Sequence, residues 1–164
     1  MCKPFSCIVK SDITLIVGKS IAHHSHSEMW RDAGNAQEIS VNQAARVELL
    51  PPVGTSYSSD VSGWVLHLDE DRTPEWWRQN HPEIEDRVRQ AAVRWQGKLL
   101  RLERWENLVD GEHLVVIAPS VTIAQQHGGY AWSNGASTLT IEQQHGGYAW
   151  SYDTSTLTIA EQHV

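Results

Sequence analysis

From Pro119 to Val164 the chain has no lysine and no arginine, and its only acids there are Glu142, Asp153 and Glu161. A surface built from that stretch cannot grip phosphates by charge. The whole chain carries 13 Lys+Arg against 20 Asp+Glu, a formal net charge of −7, which argues against direct nucleic-acid binding. Phenylalanine occurs once and cysteine twice. Cys2 and Cys7 lie close together, and "MCKPFSCIVK" has neither the apolar centre nor the cleavage site of a secretory signal. Free thiols in a reducing cytoplasm are therefore the expectation. No apolar run reaches the roughly 18 residues a membrane helix needs, so no membrane span is expected.

What remains is 164 residues, enough for a real core without staples, and eight tryptophans, a residue suited to half-buried positions. Residues 1–97 read as a small α+β domain. "FSCIVKSDITLIV" alternates apolar positions around a polar step and predicts a β-hairpin. "SHSEMWRDAG" predicts a short helix capped by Ser25 or Ser27 and stopped at Gly34. Strands are expected in "ARVELLPP" and "GWVLHLDED", with helices against one side of their sheet. Thr73-Pro74 opens a further helix, Asn80-His81-Pro82 restarts it, and Gly97 ends it. Ile84, Val88, Ala91, Ala92 and Trp95 share one face of that helix. Beyond it, two strand-like runs flank Asp110-Gly111, a hairpin signal.

The C-terminal third repeats itself. "IAQQHGGYAWS" at 123–133 returns as "IEQQHGGYAWS" at 141–151 with one change, and "IAEQHV" opens a third copy at Ile159. Each unit holds two strand-like runs separated by turn residues. That pattern predicts a β-solenoid, a β-helix-like stack of 18-residue repeats over residues 98–164, with units near 123–140, 141–158 and 159–164. Each coil would hydrogen-bond to the next about 4.8 Å away, so equal positions form ladders. The alternative is an antiparallel meander made by duplication. A hexapeptide helix is disfavoured, because Ile123, Gly129 and Gly135 do not keep one residue type every six positions.

Candidate functional residues follow from these patterns. Tyr130, Trp132, Tyr148 and Trp150 would stack in columns as a binding surface, and Trp76-Trp77 form a second aromatic patch, with one ring facing the core. His127, His145 and His163 form a further column, a metal candidate whose ligands would lack tetrahedral geometry. His24, His26 and Glu28 are a second metal candidate. Cys2, if exposed as an N-terminal residue, would place an amine beside a thiol, the arrangement of a thiol nucleophile. No cofactor is expected. The edge of the last coil offers unpaired backbone groups, so self-association or a protein partner is expected there.

"MCKPFSCIV", "SHSEMW", "RVELLPP", "WVLHLDED" and "TPEWW" together resemble a group of phage-encoded proteins that open with the same letters and often end in short β repeats. The resemblance covers roughly residues 1–97 in order, with a looser match in the repeats. This chain departs from the pattern in lacking an acid directly after His26. The resemblance implies a phage or prophage origin and assigns no catalytic residues. The expectation is a non-enzymatic interaction protein in the host cytoplasm, blocking a host defence or nucleic-acid enzyme. The alternatives are a virion or capsid accessory assembling through solenoid edges, and a thiol enzyme using Cys2.

Overall fold

A computed structural model describes residues 5–22 and 25–163. The chain divides into two compact units, one of residues 1–53 and 60–95, the other of residues 54–59 and 96–164.

In the first unit, β1 (Ser6–Lys10), β2 (Leu15–Val17), β3 (Ala44–Leu50) and β4 (Val65–Leu68) form one antiparallel sheet in the order β2-β1-β3-β4. Helix α1 (His26–Asp32) packs Met29 and Trp30 against Ile8 and Ala44. Helix α2 (Glu75–Leu99) reaches the sheet's other face, where Trp95 lies 5.5 Å from Phe5. Phe5 and Ile8 point to opposite faces by strand alternation. The expectation of helices on one side is therefore corrected: both faces are covered, which is why Ser6, Cys7, Ile8 and Val9 are all buried.

Two expectations for α2 also change. It does not restart at Pro82 but runs through it, and it ends at Leu99 rather than Gly97. Proline removes one N–H, while Trp77 before it and Ile84, Val88, Ala91 and Ala92 after it are all buried. Burying Leu99 offsets the roughly 1 kcal/mol that Gly97 costs a helix. Among the described residues no helix is long and apolar enough to cross a membrane.

The second unit contains a β-solenoid. Strands β5 (Arg104–Leu108) and β6 (His113–Val116) make coil 1, β7 (Ser120–Gln126) and β8 (Tyr130–Ser133) coil 2, and β9 (Thr138–Gln144) and β10 (Tyr148–Ser151) coil 3. Strand β11 (Thr156–Gln162) begins a fourth coil. They form two parallel sheets, β11-β9-β7-β5 and β10-β8-β6. Ile123, Ile141 and Ile159 lie in register, as do Tyr130 and Tyr148. The repeat recurs because the coil recurs, and the meander is excluded.

The Asp110-Gly111 hairpin is likewise corrected. β5 and β6 do not pair with each other; each pairs in parallel with coil 2. Gly111, at φ +84°, turns a coil corner, the role that Gly129 (φ +67°) plays one coil later. There a Cβ would also run into the carbonyl oxygen of Val109, so the corner demands glycine twice over. The next such corner, Gly147, sits against the Gly128 carbonyl in the same way.

Inside the solenoid, Val121, Ile123, Leu139 and Ile141 are buried with Ala131. Gln126 and Gln144 are buried among them. The Gln144 side-chain amide donates to Gln126 Oε1 at 3.0 Å, and Gln126 Nε2 donates to the Tyr148 carbonyl at 3.1 Å. A buried amide is tolerated because its partners recur with the coil.

Candidate binding face

Alternation along β8 and β10 sends Ala131, Ser133 and Ala149 inward and Tyr130, Trp132, Tyr148 and Trp150 outward. Parallel register then brings the outward rings together. Tyr130 and Tyr148 stack at 5.5 Å with planes 15° apart. Trp150 lies 5.7 Å from Tyr130 and 5.8 Å from Tyr148, nearly parallel to both. Below them, His113 of coil 1 continues the tyrosine column, 4.7 Å from Tyr130, and meets Trp132 edge-on at 6.1 Å. Tyr148 and Trp150 are 60% and 39% exposed, more than their half-buried counterparts one coil earlier. Rigid aromatic rings that lose little entropy on docking are the commonest energetic anchors of protein interfaces.

The other sheet presents polar columns: Thr122, Thr140 and Thr158 are in register, with Gln125, Gln143 and Glu161 beside them. Arg104 of coil 1 reaches over coil 2 to chelate Glu142 of coil 3, with both nitrogen–oxygen distances 3.0 Å. That hydrogen-bonded pair holds the Glu142 carboxyl below its ordinary value.

The histidine column exists as expected. His127 and His145 stack at 4.8 Å, His145 and His163 at 4.6 Å, with planes 9° apart in both. His127 Nε2 lies 3.1 Å from Gln125 Oε1, and His163 lies 3.7 Å from Glu161. Among the described residues no group of three His, Cys, Asp or Glu is placed to hold a metal ion.

The other candidates separate. Trp77 is core, 4% exposed, which corrects its place in a binding surface; Trp76 is half-buried, with its indole N–H donated to the Val41 carbonyl at 3.1 Å. His26 is buried, with Nε2 3.3 Å from the Val47 carbonyl and Nδ1 3.9 Å from Asp69. Glu28 accepts from the backbone N–H and hydroxyl of Ser25, both at 2.8 Å, closing a capping box. The reading of His24, His26 and Glu28 as one metal site is thus corrected at Glu28, whose carboxylate caps α1. His24 and Cys2 lie outside the described residues. Cys7 is fully buried and its thiol is pushed up to about 12, which leaves no thiolate at neutral pH.

One contributor to the aromatic face, His113, escaped sequence reasoning. Trp105 pairs with Ile123, eighteen residues on, but His113 pairs with Tyr130, seventeen on. One extra residue in the first corner of coil 1 and one fewer in its second hide the repeat. The alternation His113-Leu114-Val115-Val116, matching Tyr130-Ala131-Trp132-Ser133, is the signal that could have found it. No family model, curated protein or solved structure matches the chain.

Proposed function

We propose that the chain is a phage-encoded, non-enzymatic interaction protein that holds a host protein against the aromatic face of β6, β8 and β10. The observation that carries this reading is the parallel packing of Tyr130, Tyr148 and Trp150 on an exposed sheet face. The rings are fixed by the ladder behind them, so little freedom is lost when a partner docks. The partner we infer is a host defence or nucleic-acid enzyme, blocked in the host cytoplasm. Origin and target rest on the N-terminal resemblance; the surface rests on the rings. Capture from host lysate with wild type and with a Tyr148→Ser/Trp150→Ser double variant tests it. Wild type should retain one stoichiometric enzyme and inhibit it when purified, and the variant should do neither. Equal capture by both would remove the aromatic face from the account.

A second reading, an accessory protein of the virion or capsid, is favoured by a separate observation. The backbone edges of β10 and β11 have no strand beyond them among the described residues. Such edges pair with other chains. Purified virions containing the protein would support this reading, and virions free of it would count against it.

A further inference from the structure

We infer that the aromatic face of β6, β8 and β10 receives arginine and lysine side chains, and that the surface it covers is the cationic groove in which a nucleic-acid enzyme holds its phosphate backbone. This deepens the proposed function, rests on its reading of the rings as the docking surface, and selects one of the two host targets named there.

The strands and corners of the solenoid are anionic. From Trp105 to Val164 there is no lysine or arginine, against six acids: Glu106, Asp110, Glu112, Glu142, Asp153 and Glu161. Glu106, Glu142 and Glu161 belong to strands of the other sheet, where Arg104 answers Glu106 at 2.8 Å and Glu142 at 3.0 Å. The remaining three stand at the corners that bound the aromatic strands. Asp110 and Glu112 lie in the corner before β6. The Glu112 carbonyl accepts from the Tyr130 N–H at 2.9 Å, and Asp110 Oδ1 accepts from the Gly129 N–H at 3.4 Å, so this corner abuts the start of β8. Asp153 lies in the corner after β10, in the left-handed region at φ +57°. Asp110 and Asp153 are exposed and Glu112 is half-buried. Among the described residues none of the three is in an ion pair. Strands of four residues span about 13 Å, so a cation seated on the rings lies within about one screening length of carboxylates at one end or the other.

The rings ask for the same partner. Aromatic rings attract cations through the negative potential of their faces, and guanidinium stacks flat on them. The rim carboxylates then meet opposite charge, whereas an acidic partner is repelled. A groove that binds phosphates presents arginine and lysine in a row, so the chain occupies it in place of the nucleic acid.

Calorimetric titration of the full chain with a hepta-arginine peptide tests this, with hepta-citrulline as the uncharged probe of the same shape. The arginine peptide should bind, and should weaken at least tenfold between about 50 and 200 mM salt. The citrulline peptide should not bind. Tyr148→Ser/Trp150→Ser should weaken arginine binding at least tenfold. Asp110→Asn/Glu112→Gln/Asp153→Asn keeps side-chain acceptors at the corners, and should weaken binding comparably while flattening the salt dependence. Glu106→Gln/Glu161→Gln, on the other sheet, should change it less than twofold, which separates the local rim from the net charge of −7. Circular dichroism should show each variant folded. Sheared host DNA and RNA in excess should elute the enzyme retained from lysate. Equal affinity for the citrulline peptide, arginine binding untouched by the ring or the rim variant, or retention indifferent to nucleic acid overturns the inference. An enzyme retained through the rings while the arginine peptide fails to bind would remove this inference alone. Arginine binding with no enzyme retained would remove the proposed target and leave the cation-binding face.

Discussion

Coil 1 and the last strand of the solenoid relate letters to burial differently. β5 and β6 share almost none of the repeat's letters, yet Leu108, Leu114 and Val116 are sealed from solvent. β11 repeats the Thr-Leu-Thr-Ile of β9 letter for letter, yet its Leu157 and Ile159 remain half-open. A coil is therefore defined by which positions face inward, and its stability by whether another layer covers it. Identity of sequence reports duplication; it does not report burial.

The largest test of this contrast is a matched truncation. Ile141→Ala, in a covered coil, should cost about 2–5 kcal/mol in urea unfolding, as other buried deletions do. Ile159→Ala, the same letter one coil on, should cost less than half as much. Equal losses would mean that β11 is as well covered as β9.

A smaller effect comes from copying coil 1 into coil 2. Leu108 occupies the column that Gln126 and Gln144 fill. Gln126→Leu should destabilise by about 1–3 kcal/mol, because the buried Gln144 amide loses its acceptor. Adding Gln144→Leu should recover part of that loss, a non-additivity that a double-mutant cycle measures. Strict additivity would show that the two amides are not coupled.

The smallest effect concerns the exposed clamp between coils 1 and 3. Glu142 titrates lower in the folded chain than its ordinary 4.5. Its contribution is thus present above that value and lost as pH falls through the lower folded one. Glu142→Gln should lower the melting temperature slightly at neutral pH, and the difference should vanish in acid once the pH has fallen through the lowered folded value. A difference that persists there would assign the effect to something other than charge.

These regions also show what was legible in advance. The solenoid, its register and its Tyr and Trp columns could be read because coils 2 and 3 share letters at a constant spacing. Ser25-x-x-Glu28 was legible as a helix start, though its glutamate was also offered as a ligand. Coil 1 was not legible, since compensating one-residue changes at its two corners broke the spacing. Asp110-Gly111 misled for a physical reason: a left-handed glycine serves a coil corner as well as a hairpin. The docking of residues 54–59 was also hidden. Asn134 Oδ1 accepts from the Ser56 hydroxyl at 2.8 Å and from the Tyr57 N–H at 3.2 Å, a match of polar groups far apart in sequence. Of the binding face, the four repeated rings could be named, but His113 needed the register of coil 1.

The stacking of Tyr130, Tyr148 and Trp150 depends on strands eighteen residues apart lying side by side in parallel. Nuclear Overhauser contacts between backbone protons read this arrangement directly. The account predicts cross-peaks joining Thr122 to Thr140, Ile141 to Ile159 and Tyr130 to Tyr148. Cross-peaks joining β7 to β8, or β5 to β6 across Asp110-Gly111, in an antiparallel pattern would contradict it.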